Sequence, residues 1–160
     1  MKTMAVEIKK PDDSNIIIGQ AHFIKSAEDI YEALVVSVPQ IRFGAAFCES
    51  SGPCLVRSEG NDDGLKECAR ENAMRIGAGH CFVIVMRDAY PLNVLSRLRS
   101  VDEICAIHCA TANPVEVIVA QTQQGRGILG VIDGSSPKGV EGEGDIKKRK
   151  AFLRSIGYKL

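Results

Sequence analysis

The sequence predicts an α/β domain with α+β character, a single compact unit over residues 1–160 in which a mixed β-sheet is flanked by three or four helices. Three observations carry this expectation. Apolar residues recur with period 2 in some stretches and period 3.6 in others. The run CFVIVM at 81–86 is wholly apolar and reads as a buried strand. Finally, 160 residues with 45% apolar and 25% charged content are ordinary for one globular domain, long enough to bury a sizeable core without disulfide or metal staples.

Taken in order, residues 4–9 and 15–20 read as strands around the turn-prone Pro11-Asp12-Asp13. Ser26, with Asp29 three residues on, resembles a capping box opening a helix. Ile30, Leu34 and Val38 continue that helix until Pro39 ends it. Residues 41–48 and 54–58 are two strands separated by a loop at Ser50–Pro53. Asn61, Asp62 and Asp63 supply a cap and dipole-complementing charge to the next helix, whose Leu65, Cys68, Ala69, Ala73 and Ile76 share one face and which Gly77 stops. A short helix is expected at 91–99, and strands at 104–109, 115–121 and 128–132, the last two joined by a turn around Gly125-Arg126-Gly127. The Gly134–Gly144 stretch reads as a long loop. A last helix at about 145–156 should turn Ile146, Phe152, Leu153 and Ile156 inward and its Lys-Lys-Arg-Lys run outward.

Lys plus Arg and Asp plus Glu balance at 20 each, so no large positive excess points to a nucleic-acid partner. No stretch resembles a signal peptide, and none approaches the roughly 18 apolar residues that a membrane span needs. A cytoplasmic protein is therefore expected. The six cysteines form no CxxC pair, and most sit in apolar patterns, as small hydrophobes do. No His, Cys or acidic trio has zinc spacing.

Chemistry concentrates at three places. Gly77-Ala78-Gly79-His80 stands between a helix and a buried strand. Its glycines allow close approach of backbone to a ligand, and His80 can accept a phosphoryl group or move protons near neutral pH; a plain turn with His80 bonded to backbone fits the same residues. Next, Asn113-Pro114 and Glu116 break two apolar strands. Asn113 has the donor and acceptor that read an adenine edge and Glu116 can accept from ribose hydroxyls, although Asn-Pro is equally a turn. Third, Gly125-Arg126-Gly127-Ile128-Leu129-Gly130 matches G-x-G-x-x-G by letter. The residues that follow look like a strand, which disfavours a dinucleotide fingerprint and fits a glycine hairpin over phosphates better. There Arg126 and Lys138 can hold phosphate oxygens and Asp133 a magnesium ion, or the glycines serve the hairpin alone. Glu49, in the polar loop after a strand, is a further pocket candidate; His22 and His108 read as structural or pocket-wall residues.

The stretches FGAAFCESSGP (43–53), IGAGHCFVIV (76–85), ATANPVEVIVAQTQQGRGILGVIDGSSPKGVE (110–141) and RKAFLRSIGYKL (149–160) together resemble the small prokaryotic adenosine-specific kinases. That resemblance implies a compact homo-oligomer, a trimer or hexamer. It also implies binding of adenosine or AMP, and phosphoryl transfer from ATP, with its Mg2+, through a phosphohistidine. His80 is the histidine inside a resembling block and becomes the expected carrier, whereas the position of His108 is one where a hydrophobic or aromatic residue is expected. A non-catalytic adenosine or AMP sensing module, an oxidoreductase and an assembly protein are the competing expectations.

Overall fold

A computed structural model describes residues 1–160. Strands β1 (Lys2–Glu7) and β2 (Asn15–Ala21) precede helix α1 (Ser26–Ser37), and β3 (Arg42–Cys48) and β4 (Val56–Gly60) precede α2 (Asp63–Ile76). Strand β5 (Cys81–Arg87) leads into α3 (Pro91–Arg99), and β6 (Ile104–Thr111), β7 (Val115–Gln121) and β8 (Arg126–Asp133) come before α4 (Glu143–Ser155). The expected mixture of strands and four helices is present, but the strands do not make one mixed sheet. A five-stranded sheet runs β4-β3-β5-β2-β6 and a three-stranded sheet runs β1-β7-β8, with every strand pair antiparallel. The cause is β1, which leaves its sequence neighbour β2 and pairs with β7, Met4 opposite Val119.

The larger sheet is covered on both faces, which explains why β5 lacks a polar alternation. Val83 and Val85 point into one apolar cluster with Ile16, Ile18, Leu65, Ala69 and Ile76, shared with the inner face of the small sheet through Val117 and Val119. Phe82, Ile84 and Met86 point the other way, onto α1 and α3, among Ile30, Leu34, Phe43, Val94 and Leu98. Each large side chain removed from water in this way contributes roughly 1.5–3 kcal/mol. Helix α2 lies so close to β3 that a Cβ on Gly44 would stand 2.1 Å from the Lys66 nitrogen.

Two local expectations change. Ser26 does not cap α1: its hydroxyl bonds back to the Phe23 carbonyl, and Lys25 starts the helix while pairing with Asp29 and Glu103. Helix α4 does not pack on the core. It has no buried residue, and Phe152 and Ile156, expected inward, are exposed. No helix is long and apolar enough to cross a membrane.

Candidate active site

The end of α2 sets the site. Asp62 caps its start, accepting from the Leu65 amide at 2.9 Å, and Gly77 closes its end with φ 62°. The chain then makes a tight turn, Ala78–Cys81, closed by the Cys81 amide on the Ala78 carbonyl at 3.2 Å. His80 is the third residue of that turn and has φ 60°, a position that type II turns normally give to glycine. Its backbone is fixed from both sides: its amide donates to Cys48 at 2.8 Å and its carbonyl accepts from Ala21 at 2.9 Å. The imidazole is half-buried and stacks on Phe47, with ring centroids 5.6 Å apart and an interplanar angle of 19°. The stack leaves the ring held by a face, so its nitrogens stay available to a ligand. Gly79 is required for another reason, since a Cβ there would meet the Cβ of Ser50 at 2.8 Å.

His80 lines a cavity of about 890 Å³. Residues singled out in the sequence meet there, among them Glu49, Gly79, His80, Gly125, Arg126 and Gly127. The β7–β8 hairpin forms one wall. Its turn lies one step earlier than expected, closed by the Thr122 amide on the Gly125 carbonyl, so that Arg126 and Gly127 already pair with Gln121 and Ala120. As anticipated, the glycine pattern joins two strands rather than a strand and a helix. A single parallel bridge between Ala78 and Arg126 ties this hairpin to the turn that carries His80.

Arg126 is engaged differently from the expectation. Its Nη1 donates to the carbonyls of Arg75 and Ile76 at 3.0 and 3.4 Å, and its Nε to Gln121 Oε1 at 3.1 Å. The guanidinium thus caps the negative end of α2 and leaves Nη2 as the nitrogen with no such duty. Glu49 accepts from the Leu55 amide at 3.0 Å and from Arg57 Nη2 at 3.1 Å. The amide of Leu55, and then Arg57, hold its carboxyl below the usual carboxylate range.

Asn113, Glu116, Asp133 and Lys138 do not join this cavity. Asn113 Nδ2 bonds Asp133 Oδ1 at 3.0 Å, at the far end of the hairpin, and Glu116 lies beside them opposite Ile132. Strand geometry of about 3.3 Å per residue separates Arg126 from Asp133 by roughly 20 Å, so within one protomer the two cannot hold one triphosphate. Lys138 is exposed in the loop before α4. Nor do three His, Cys, Asp or Glu side chains gather anywhere as a metal cluster, and the cavity's carboxylate, Glu49, is already engaged. Asp133, the expected magnesium ligand, lies outside the cavity.

The cavity also takes in residues that the sequence left unmarked, including Gln20, Thr122 and Gln124. Gln20 had a signal, as a polar break in the apolar run of β2; the others lie in loops where polarity is uninformative. His108 is a wall residue, half-buried, and burial alone pushes its imidazole below the ordinary 6.5. All six cysteines are free, with Cys48, Cys81 and Cys109 buried. The neighbouring Cys48, and then burial, push the Cys81 thiol upward, so it stays protonated.

A family model described as adenosine specific kinase matches residues 6–159. The chain belongs to the adenosine specific kinase family. Among solved structures, the crystal structure of the PH1918 protein from Pyrococcus horikoshii OT3 is similar along almost its whole length, with a TM-score of 0.96 and 41% identity over 99% of this chain and 98% of that one. No curated protein matches. As an adenosine specific kinase family member, the chain has a kinase-like role, and the cavity at His80 is its candidate catalytic site.

Proposed function

We propose that this protein transfers a phosphoryl group from a nucleoside triphosphate to a hydroxyl of adenosine in two steps, with His80 as carrier. The observation that carries this reading is His80 itself: a half-buried imidazole on the wall of the large cavity, oriented by a ring stack and held in a left-handed backbone conformation. Strain of that kind persists where the surroundings impose it, and it clusters at functional positions.

In the first step a ring nitrogen of His80 attacks the γ-phosphorus. A P–N bond forms, the bond to the bridging oxygen breaks, and the diphosphate leaves with that electron pair. In the second step the adenosine hydroxyl attacks the same phosphorus, the P–N bond breaks, and AMP is released. Each step then has a good nucleophile or a good leaving group. The free Nη2 of Arg126 and the backbone amides of the hairpin are the donors at hand for phosphoryl oxygens. Family membership supports adenosine as the acceptor, and AMP and ATP follow as product and donor from the transfer proposed. A homo-oligomer is supported by α4, a helix with no residue buried in its own chain and with Phe152 exposed.

The test is phosphoryl transfer from γ-labelled ATP, with native protein and His80→Asn. Acid-labile label on the native protein alone, chased into AMP by adenosine, is the expected result. Label reaching AMP equally with both proteins removes His80 as carrier. Binding of adenosine or AMP with no transfer at all favours a non-catalytic sensing module.

A further inference from the structure

Strand β6 contains an irregularity at the cavity. Ile18 of β2 pairs with Cys109, and Gly19 pairs with Ile107, so His108 is the extra residue of a β-bulge. Bulges re-aim a side chain and are frequent beside active sites. Here the bulge breaks the alternation, so that Ile107 and Cys109, two residues apart, face opposite sides, Ile107 the α1–α3 core and Cys109 the other cluster. It turns His108 into the wall of the cavity that His80 also lines.

The second transfer step needs somewhere for the acceptor's hydroxyl proton to go. The charged and titratable groups around the cavity are Glu49, His80, Arg126, Cys48, Cys54 and Cys81. Glu49 is fixed in its anionic form by Leu55 and Arg57, which makes it a weak base. Arg126 cannot accept a proton, and the Cys81 thiol is buried and protonated. His80 carries the phosphoryl group at that stage. The remaining thiols, Cys48, which donates to the Ala73 carbonyl at 3.5 Å, and Cys54, are weak acceptors, so an uncharged imidazole is the wall group suited to accept a proton near neutral pH. Burial keeps His108 in that uncharged form.

We propose that His108, the bulged residue of β6, takes the proton from the acceptor hydroxyl as the phosphoryl group leaves His80. This rests on the two-step reading above. The hydroxyl oxygen forms the new P–O bond, its proton passes to a His108 ring nitrogen, the P–N bond breaks, and its electron pair returns to the His80 ring. His108 then releases the proton to solvent through the cavity.

The experiment separates the steps. Native protein, His108→Gln and His108→Phe are first labelled with γ-labelled ATP, and the isolated phosphoproteins are then chased with adenosine from pH 5 to pH 9. Both variants should take label on His80 to the native extent, which also reports that they fold. Their chase should be slower by about 100-fold or more. The native chase should slow as pH falls through a value below 6.5, a limb that both variants lack. Labelled variants that chase at the native rate, with the native pH profile, overturn the role of His108 while leaving His80 as carrier. Native protein that never takes label overturns the two-step reading, and the inference with it.

Discussion

His80 holds a left-handed conformation that costs a residue with a Cβ roughly 1–2 kcal/mol. The native side chain recovers part of this through its stack on Phe47, since such ring pairs contribute about 0.5–1.5 kcal/mol. Comparing two variants that both lack the ring isolates the backbone part. His80→Gly should be more stable than His80→Ala by about 1 kcal/mol in urea unfolding, and neither should take label from ATP. Equal midpoints would mean that the turn relaxes and that no strain is held there. At this scale the sequence was informative where a residue's role is local. Gly77, Gly79 and His80 could be read as a turn beside a strand because all three act within a few positions of one another. Asn113 and Asp133 could not be read correctly, since whether their end of the hairpin faces the cavity depends on pairings that side-chain chemistry does not encode.

Among the elements, α2 bears most directly on the site, because its last turn is continuous with the His80 turn and its carbonyl end is capped by Arg126. Its start depends on Asp62. Asp62→Ala should cost about 1–2 kcal/mol of stability, measured by denaturant unfolding at neutral pH. The bond from the Leu65 amide, helped by Arg42, lowers the folded pKa of Asp62 from the ordinary 3.8. The unfolded chain therefore binds the proton first on acidification. The contribution is complete above 3.8 and is lost as pH falls through the folded value, so native and variant stabilities should converge in acid. A gap that stays constant with pH would show that the cap acts without its charge. Most elements were legible from the chain: α2 has both its caps in sequence, and β5 is a bare apolar run. Helix α4 was legible as a helix but not in its packing, because an apolar stripe states that a surface needs covering and not which surface covers it.

In the whole molecule, that uncovered stripe is the largest departure from a self-contained fold. Phe152 is 60% exposed and Ile156 44%, with Tyr158 beyond them at 47%. If a second copy covers them, Phe152→Glu should reduce the mass measured by light scattering during size-exclusion chromatography to that of one chain. A native protein that is already a monomer, or a variant with unchanged mass, would count against the homo-oligomer. The two-sheet arrangement was hidden from the sequence for a related reason. Strand β1 carries no sign that its partner lies near the other end of the chain, and reading it as the neighbour of β2 is the natural default for consecutive strands.

The long-range pairing of β1 with β7 also has a consequence during synthesis. Strand β1 is made first, yet Met4 must wait for Val119 to be translated before it can join a sheet. At about 5–20 residues per second, the first strand spends many seconds without its partner while β2 to β6 are still being assembled. The hairpin wall of the cavity comes from the same late sheet. A nascent chain that already holds α2 and His80 would therefore still lack the far side of its pocket, and the cavity could not close until the last quarter of the protein had left the ribosome.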